Sequence, residues 1–151
     1  MDDDLALWQQ VLAAEHAAIW GLGLVGATPP LAGPASAALD VHRARRTRCA
    51  DAIVTMGGEP VSSAPAYDLT NPSTPRAARE LAADLEETCA VAYAALAGAG
   101  RRGARLQAAA WLRETTVAIW AWNDSVLALP GLGPASVTSG PAPSPLASPT
   151  D

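Results

Sequence analysis

The chain has no lysine and no phenylalanine. Without lysine there is no Schiff-base chemistry and no amine nucleophile on a side chain. Without phenylalanine, and with aromatics at only 5 % of residues, the core must be built from alanine, leucine and valine. An alanine-rich composition favours helix over sheet. Cysteine is almost missing as well, with Cys49 and Cys89 the whole complement. The simplest state of the two thiols is reduced and buried. A glycine-rich phosphate loop, metal-type cysteine spacing and a nucleophile elbow are all missing. Long apolar runs are missing too: the stretch near residues 11–27 is interrupted by Glu15 and His16, so no membrane span is expected. The N-terminus, Met1-Asp2-Asp3-Asp4, is acidic where a secretory signal carries positive charge. A cytoplasmic protein is the resulting expectation.

What remains suits one globular domain. Half of the 151 residues are hydrophobic, 17 % are charged, and the mean hydropathy is +0.13, which is too apolar for a disordered chain. The net charge of -5 argues against a nucleic-acid partner, which needs a basic face to displace counterions. The basic run Arg43, Arg45, Arg46 and Arg48 lies within one predicted helix, points in several directions and reads as a solvated face.

Four segments carry helical periodicity, separated by proline and glycine. The first runs from about Asp4 to Val25, with Leu5, Trp8, Val11, Leu12, Glu15, Ala18, Ile19 and Leu22 on one stripe. Gly26-Ala27-Thr28-Pro29-Pro30 ends it. The second is expected after Pro34, with Ser36 as a cap, and runs to Met56 before Gly57-Gly58. Its stripe follows heptad spacing: Leu39, His42, Arg46, Cys49, Ile53 and Met56. The third starts at Pro75 with Thr74 as its cap and carries Ala78, Leu81, Leu85, Cys89, Ala92 and Leu96 on one side. The fourth runs from about Ala104 to Leu129.

Short connections make helices one and two a hairpin, and helices three and four another. The connection from Gly57 to Thr74 is long, contains Pro60 and Pro65, and carries Tyr67, expected to pin it to the bundle. The predicted fold is all-α: an antiparallel four-helix bundle over residues 1–130, with a long crossover between helices two and three. From residue 131 to 151 the composition turns to proline, glycine, alanine and serine. That segment is expected to be a disordered tail, because it has too little apolar area to offset its ordering entropy.

Ionisable residues fall where the periodicity assigns the interior. Glu15, Arg46 with His42 one turn earlier, Glu86 and Glu114 each sit near the middle of a helix. Helices of similar length place their midpoints at similar depth, so these five are predicted to converge. Arg46 is expected to bridge the carboxylates. His16, about a quarter turn from Glu15, belongs to a surface or interface. Tyr93 reads as a core aromatic with its hydroxyl near a bundle end.

The phrases Ala14-Glu15-His16-Ala17-Ala18, His42-Arg43-Ala44-Arg45-Arg46 and Ala64-Pro65-Ala66-Tyr67 resemble a bacterial ferritin-like family of unknown function. Such di-metal bundles place a lone Glu on each of two helices and Glu-x-x-His on the other two. Glu15 and Glu86 match the lone glutamates. Leu39-Asp40-Val41-His42 keeps the histidine but has leucine for glutamate, and Glu114-Thr115-Thr116-Val117 keeps the glutamate but has valine for histidine. The resemblance therefore implies a degenerate metal motif and no assigned activity.

The reading favours a buried polar network of Glu15, His42, Arg46, Glu86 and Glu114 without a resident cofactor. In the alternative, Glu15, His42, Glu86 and Glu114 hold iron, manganese or zinc, as a metal-handling protein or oxidoreductase. Trp120 and Trp122 lie about 200° apart around helix four, so at least one leans outward, and a homodimer through tryptophan is the favoured partner. The function read from sequence is a non-catalytic ferritin-like protein with a binding or assembly role.

Overall fold

The computed structural model describes residues 2–123. Within them the chain forms four long helices: α1 (Asp2–Gly26), α2 (Ala32–Thr55), α3 (Pro75–Ala99) and α4 (Arg102–Asn123). A single 3-10 turn, Pro29–Leu31, leads into α2. The tail expected over residues 131–151, and the last turns expected of helix four, lie outside the described residues.

The stops follow local backbone chemistry. Gly57, just past α2, has φ of 80°, a left-handed conformation that glycine adopts without a Cβ penalty. Thr74 caps α3, its hydroxyl accepting the Ala77 amide at 3.1 Å, and Pro75 opens the first turn. The start of α2 differs from expectation. The helix begins at Ala32, with Leu31 rather than Ser36 at the cap position. Pro34 is accommodated in the first turn, where its missing N–H has no intrahelical partner to lose.

Helix directions follow from contacts at the ends. The start of α1 meets the segment after α2: Gln9 donates to the Glu59 carbonyl and accepts from the Val61 amide. Asp4 accepts the Arg101 amide at the α3–α4 junction, at 2.8 Å. So α1 and α4 run one way and α2 and α3 the other. The crossover, residues 56–74, returns along α1. His16 Nε2 contacts the Val61 carbonyl, and Tyr67 packs on Trp20 with ring centroids 5.9 Å apart. Gly21 admits this strap, since a Cβ there would lie 2.6 Å from a Leu85 methyl and 2.9 Å from one of Leu69.

The core is one continuous cluster. Val11, Leu12, Leu22, Leu31, Ile53, Tyr93 and Leu96 are fully enclosed. Trp8 meets Trp111 edge-to-face, with centroids 6.0 Å apart, a favourable aromatic geometry. No described helix is long and apolar enough to cross a membrane.

Candidate functional site

Midway along the bundle, this apolar core gives way to polar side chains contributed by every helix. Glu15 comes from α1, His42 and Arg45 from α2, Glu86, Cys89 and Tyr93 from α3, and Thr115 from α4; all are buried. His42 lies between two carboxylates: Nδ1 is 2.7 Å from Glu15 Oε2 and Nε2 is 3.2 Å from Glu86 Oε1. Carboxylates on both sides require both ring nitrogens to donate, so His42 is an imidazolium here. Burial opposes its charge, but hydrogen bonds to Cys89, Glu15 and Glu86 outweigh that and push its pKa up to about 12.

A second cation completes the cluster. Arg45 Nη1 donates to the Tyr93 hydroxyl at 3.1 Å and to Thr115 Oγ1 at 3.0 Å, and Nη2 donates to Glu114 Oε2 at 2.8 Å. Its guanidinium carbon also lies 5.3 Å from the Tyr93 ring centroid and 5.9 Å from that of Trp111, within cation–π range. The Tyr93 hydroxyl in turn donates to Glu15 Oε1. One chain of hydrogen bonds thus runs from Glu114 through Arg45, Tyr93, Glu15 and His42 to Glu86.

This geometry corrects the sequence reading at two places. Arg46, expected to bridge the carboxylates, is half-buried and outside the cluster; Arg45 takes that position. Spacings of three-four and four-three from His42 to Cys49 are both helical, and only the rotation of α2 toward α4 selects between them. Glu114 is exposed at the rim, its side chain 58 % accessible, while Thr115 occupies the interior position. The structure therefore brings Glu15, His42 and Glu86 together, holds Glu114 at the edge through Arg45, and leaves Arg46 out. Sequence reasoning also missed Cys89 and the inward hydroxyl of Tyr93. Both lie on the α3 face that carries Glu86, at spacings of three and seven, which was the available signal.

Neither thiol is activated. Burial pushes Cys89 up to about 11, although its hydrogen bond to His42 works the other way. Burial raises Cys49 further, and likewise the Tyr93 phenol. All three are protonated at neutral pH, which argues against a thiolate or tyrosinate nucleophile here.

Glu15, His42 and Cys89 each present a ligand atom within 4.8 Å of the others, a donor set of plausible type. The arrangement does not suit a resident cation. A metal-binding histidine must offer a lone pair, and both nitrogens of His42 are committed to carboxylates. Arg45 adds a permanent positive charge. Val117, where the ferritin-like pattern has its second histidine, is 63 % exposed and cannot reach the interior. Two polar atoms of the cluster, Arg45 Nε and Glu86 Oε2, are buried with no hydrogen-bond partner among the described residues.

Comparison with known proteins leaves the function open. The sequence profile of a family described as a domain of unknown function (DUF4439) matches residues 7–134. The fold is similar to the crystal structure of a conserved hypothetical protein from Mycobacterium tuberculosis, with a TM-score of 0.77 and 30% identity. That match covers 82% of this chain and 96% of the other. No curated protein matches the chain.

Proposed function

Because the chain belongs to the DUF4439 family, a domain of unknown function, we propose its role from its own interior: a non-catalytic ferritin-like bundle with a binding or assembly function. One observation carries this reading. The cations of the polar interior are side chains: His42 lies between Glu15 and Glu86, and Arg45 binds Glu114. Glu15 and Glu86 are neutralised from within, and the polar interior sets helix register rather than doing chemistry.

Elemental analysis of protein purified without chelator, before and after incubation with ferrous iron, tests it. The expected result is no stoichiometric iron, manganese or zinc. About one ion per chain, lost in Glu15→Ala, would instead favour a metal-handling protein or oxidoreductase. That second reading has the Glu15, His42 and Cys89 cluster behind it, and requires His42 to give up a proton.

Assembly is proposed through the outer face of α4. Leu106, Val117 and Trp120 are 65 %, 63 % and 53 % exposed, and at 100° per residue they fall within about 60° of one another. Exposed apolar side chains grouped on one face favour association with a second copy. Sedimentation of the full chain is expected to give a dimer, and Trp120→Glu a monomer. A monomeric wild type rules this face out.

A further inference from the structure

The bundle is not closed on all sides. Helix pairs α1–α2, α1–α3 and α3–α4 pack closely, but no Cα of α2 lies within 8 Å of one in α4 among the described residues. The gap is a groove of about 590 Å³, a size typical of small-molecule sites. Its apolar lining includes Ala38 and Val41 of α2 and Ala118 and Trp122 of α4. The small alanines keep the space open.

Arg45 and Glu86 also line this groove, which ties it to the polar cluster. These are the same two residues whose Nε and Oε2 atoms lack a partner among the described residues, although the residues are only 5 % and 3 % exposed. A buried donor or acceptor left unpaired carries its full desolvation penalty. One is a donor and the other an acceptor, so a head group that suits both must be able to accept and to donate. The charged lining is balanced, with Arg45 and Arg79 against Glu86 and Glu114. A charged head would meet repulsion as well as attraction, whereas a neutral one meets neither.

We propose that this groove binds a small neutral amphiphile, an aliphatic alcohol or primary amide. Its apolar body packs along Val41, Ala118 and Trp122, and its head accepts from Arg45 Nε and donates to Glu86 Oε2. The assignment rests on the non-catalytic binding role proposed above and gives that role a ligand class.

Three probes with one alkyl tail, decanol, decanoate and decylammonium, separate head-group recognition from greasy adsorption. Isothermal titration of the full chain is expected to show decanol binding at least about ten-fold tighter than either charged probe, a difference of ~1.4 kcal/mol. Ala118→Phe and, separately, Val41→Trp fill the groove from its two walls. Each is expected to abolish decanol binding while the helical circular dichroism and melting temperature stay at wild-type values. Absence of decanol binding, equal affinity for all three probes, or binding unchanged in both variants overturns the proposal. Failure of decanol in metal-free protein removes the groove assignment alone. Stoichiometric metal held by Glu15 and His42 removes the reading beneath it.

Discussion

Arg45→Ala lowers the free energy of unfolding by about 3–5 kcal/mol, the usual cost of removing one partner from a buried ionic network. The guanidinium binds the Glu114 carboxylate, holds Thr115, and lies against the Tyr93 and Trp111 rings. Its loss leaves Glu15 and Glu86 opposed by His42 alone, in an interior too dry to screen them. Arg46→Ala is the control: one residue away and outside the cluster, it costs less than about 1 kcal/mol. Urea unfolding of the two variants measures the contrast, and the melting temperature of Arg45→Ala falls on the order of 10 °C or more. Equal losses in the two proteins contradict the network as described.

The second large effect is on pH dependence. His42 is raised to about 12 in the fold from 6.5 in a free chain. Its folded pKa lies above its unfolded one, so its contribution is complete below pH 6.5 and is lost progressively as pH rises toward 12. Cys89, raised to about 11 from 9.0, adds a loss of the same sign above pH 9, as does Cys49, and Tyr93 adds one above pH 10. Between pH 6.5 and about 8.5 the slope therefore belongs mainly to His42. Wild-type stability falls there by on the order of 1 kcal/mol per pH unit. His42→Gln keeps a side chain of similar reach but removes the titration, and its stability is flat over the same window. Parallel slopes in the two proteins mean that His42 is neutral in the fold.

Helix number, direction and most boundaries were legible because they depend on local chemistry. Gly57 can take a positive φ, Thr74 offers a capping oxygen, and Pro75 fits a first turn. The length of the connection before Pro75 then left a crossover as the economical path. The site was legible only in outline. Periodicity placed Glu15, His42 and Glu86 inside, since each has apolar neighbours at both helical spacings. It could not choose between Arg45 and Arg46, or between Glu114 and Thr115, because adjacent residues differ by 100° and the wide gap beside α4 makes either rotation acceptable. Cys89 carried no polar signal, being read as one more small apolar residue. Pro34 misplaced the start of α2 because proline is as acceptable within a first turn as before it.

The missing backbone approach between α2 and α4 also decides how the molecule deforms. Its helices form an open row, α2–α1–α3–α4, rather than a closed ring. Such a row behaves like a book, with the α1–α3 interface as its spine and the two hairpins as its covers. Turning the covers apart leaves both hairpin interfaces intact, whereas sliding any single helix breaks one. Two side chains of α2 clasp the covers: His42 reaches Glu86, and Arg45 reaches Glu114 and Thr115. Because Glu114 sits at the exposed edge, salt in the surrounding water weakens that side of the clasp first, and the book loosens at its fore-edge while its spine stays bound.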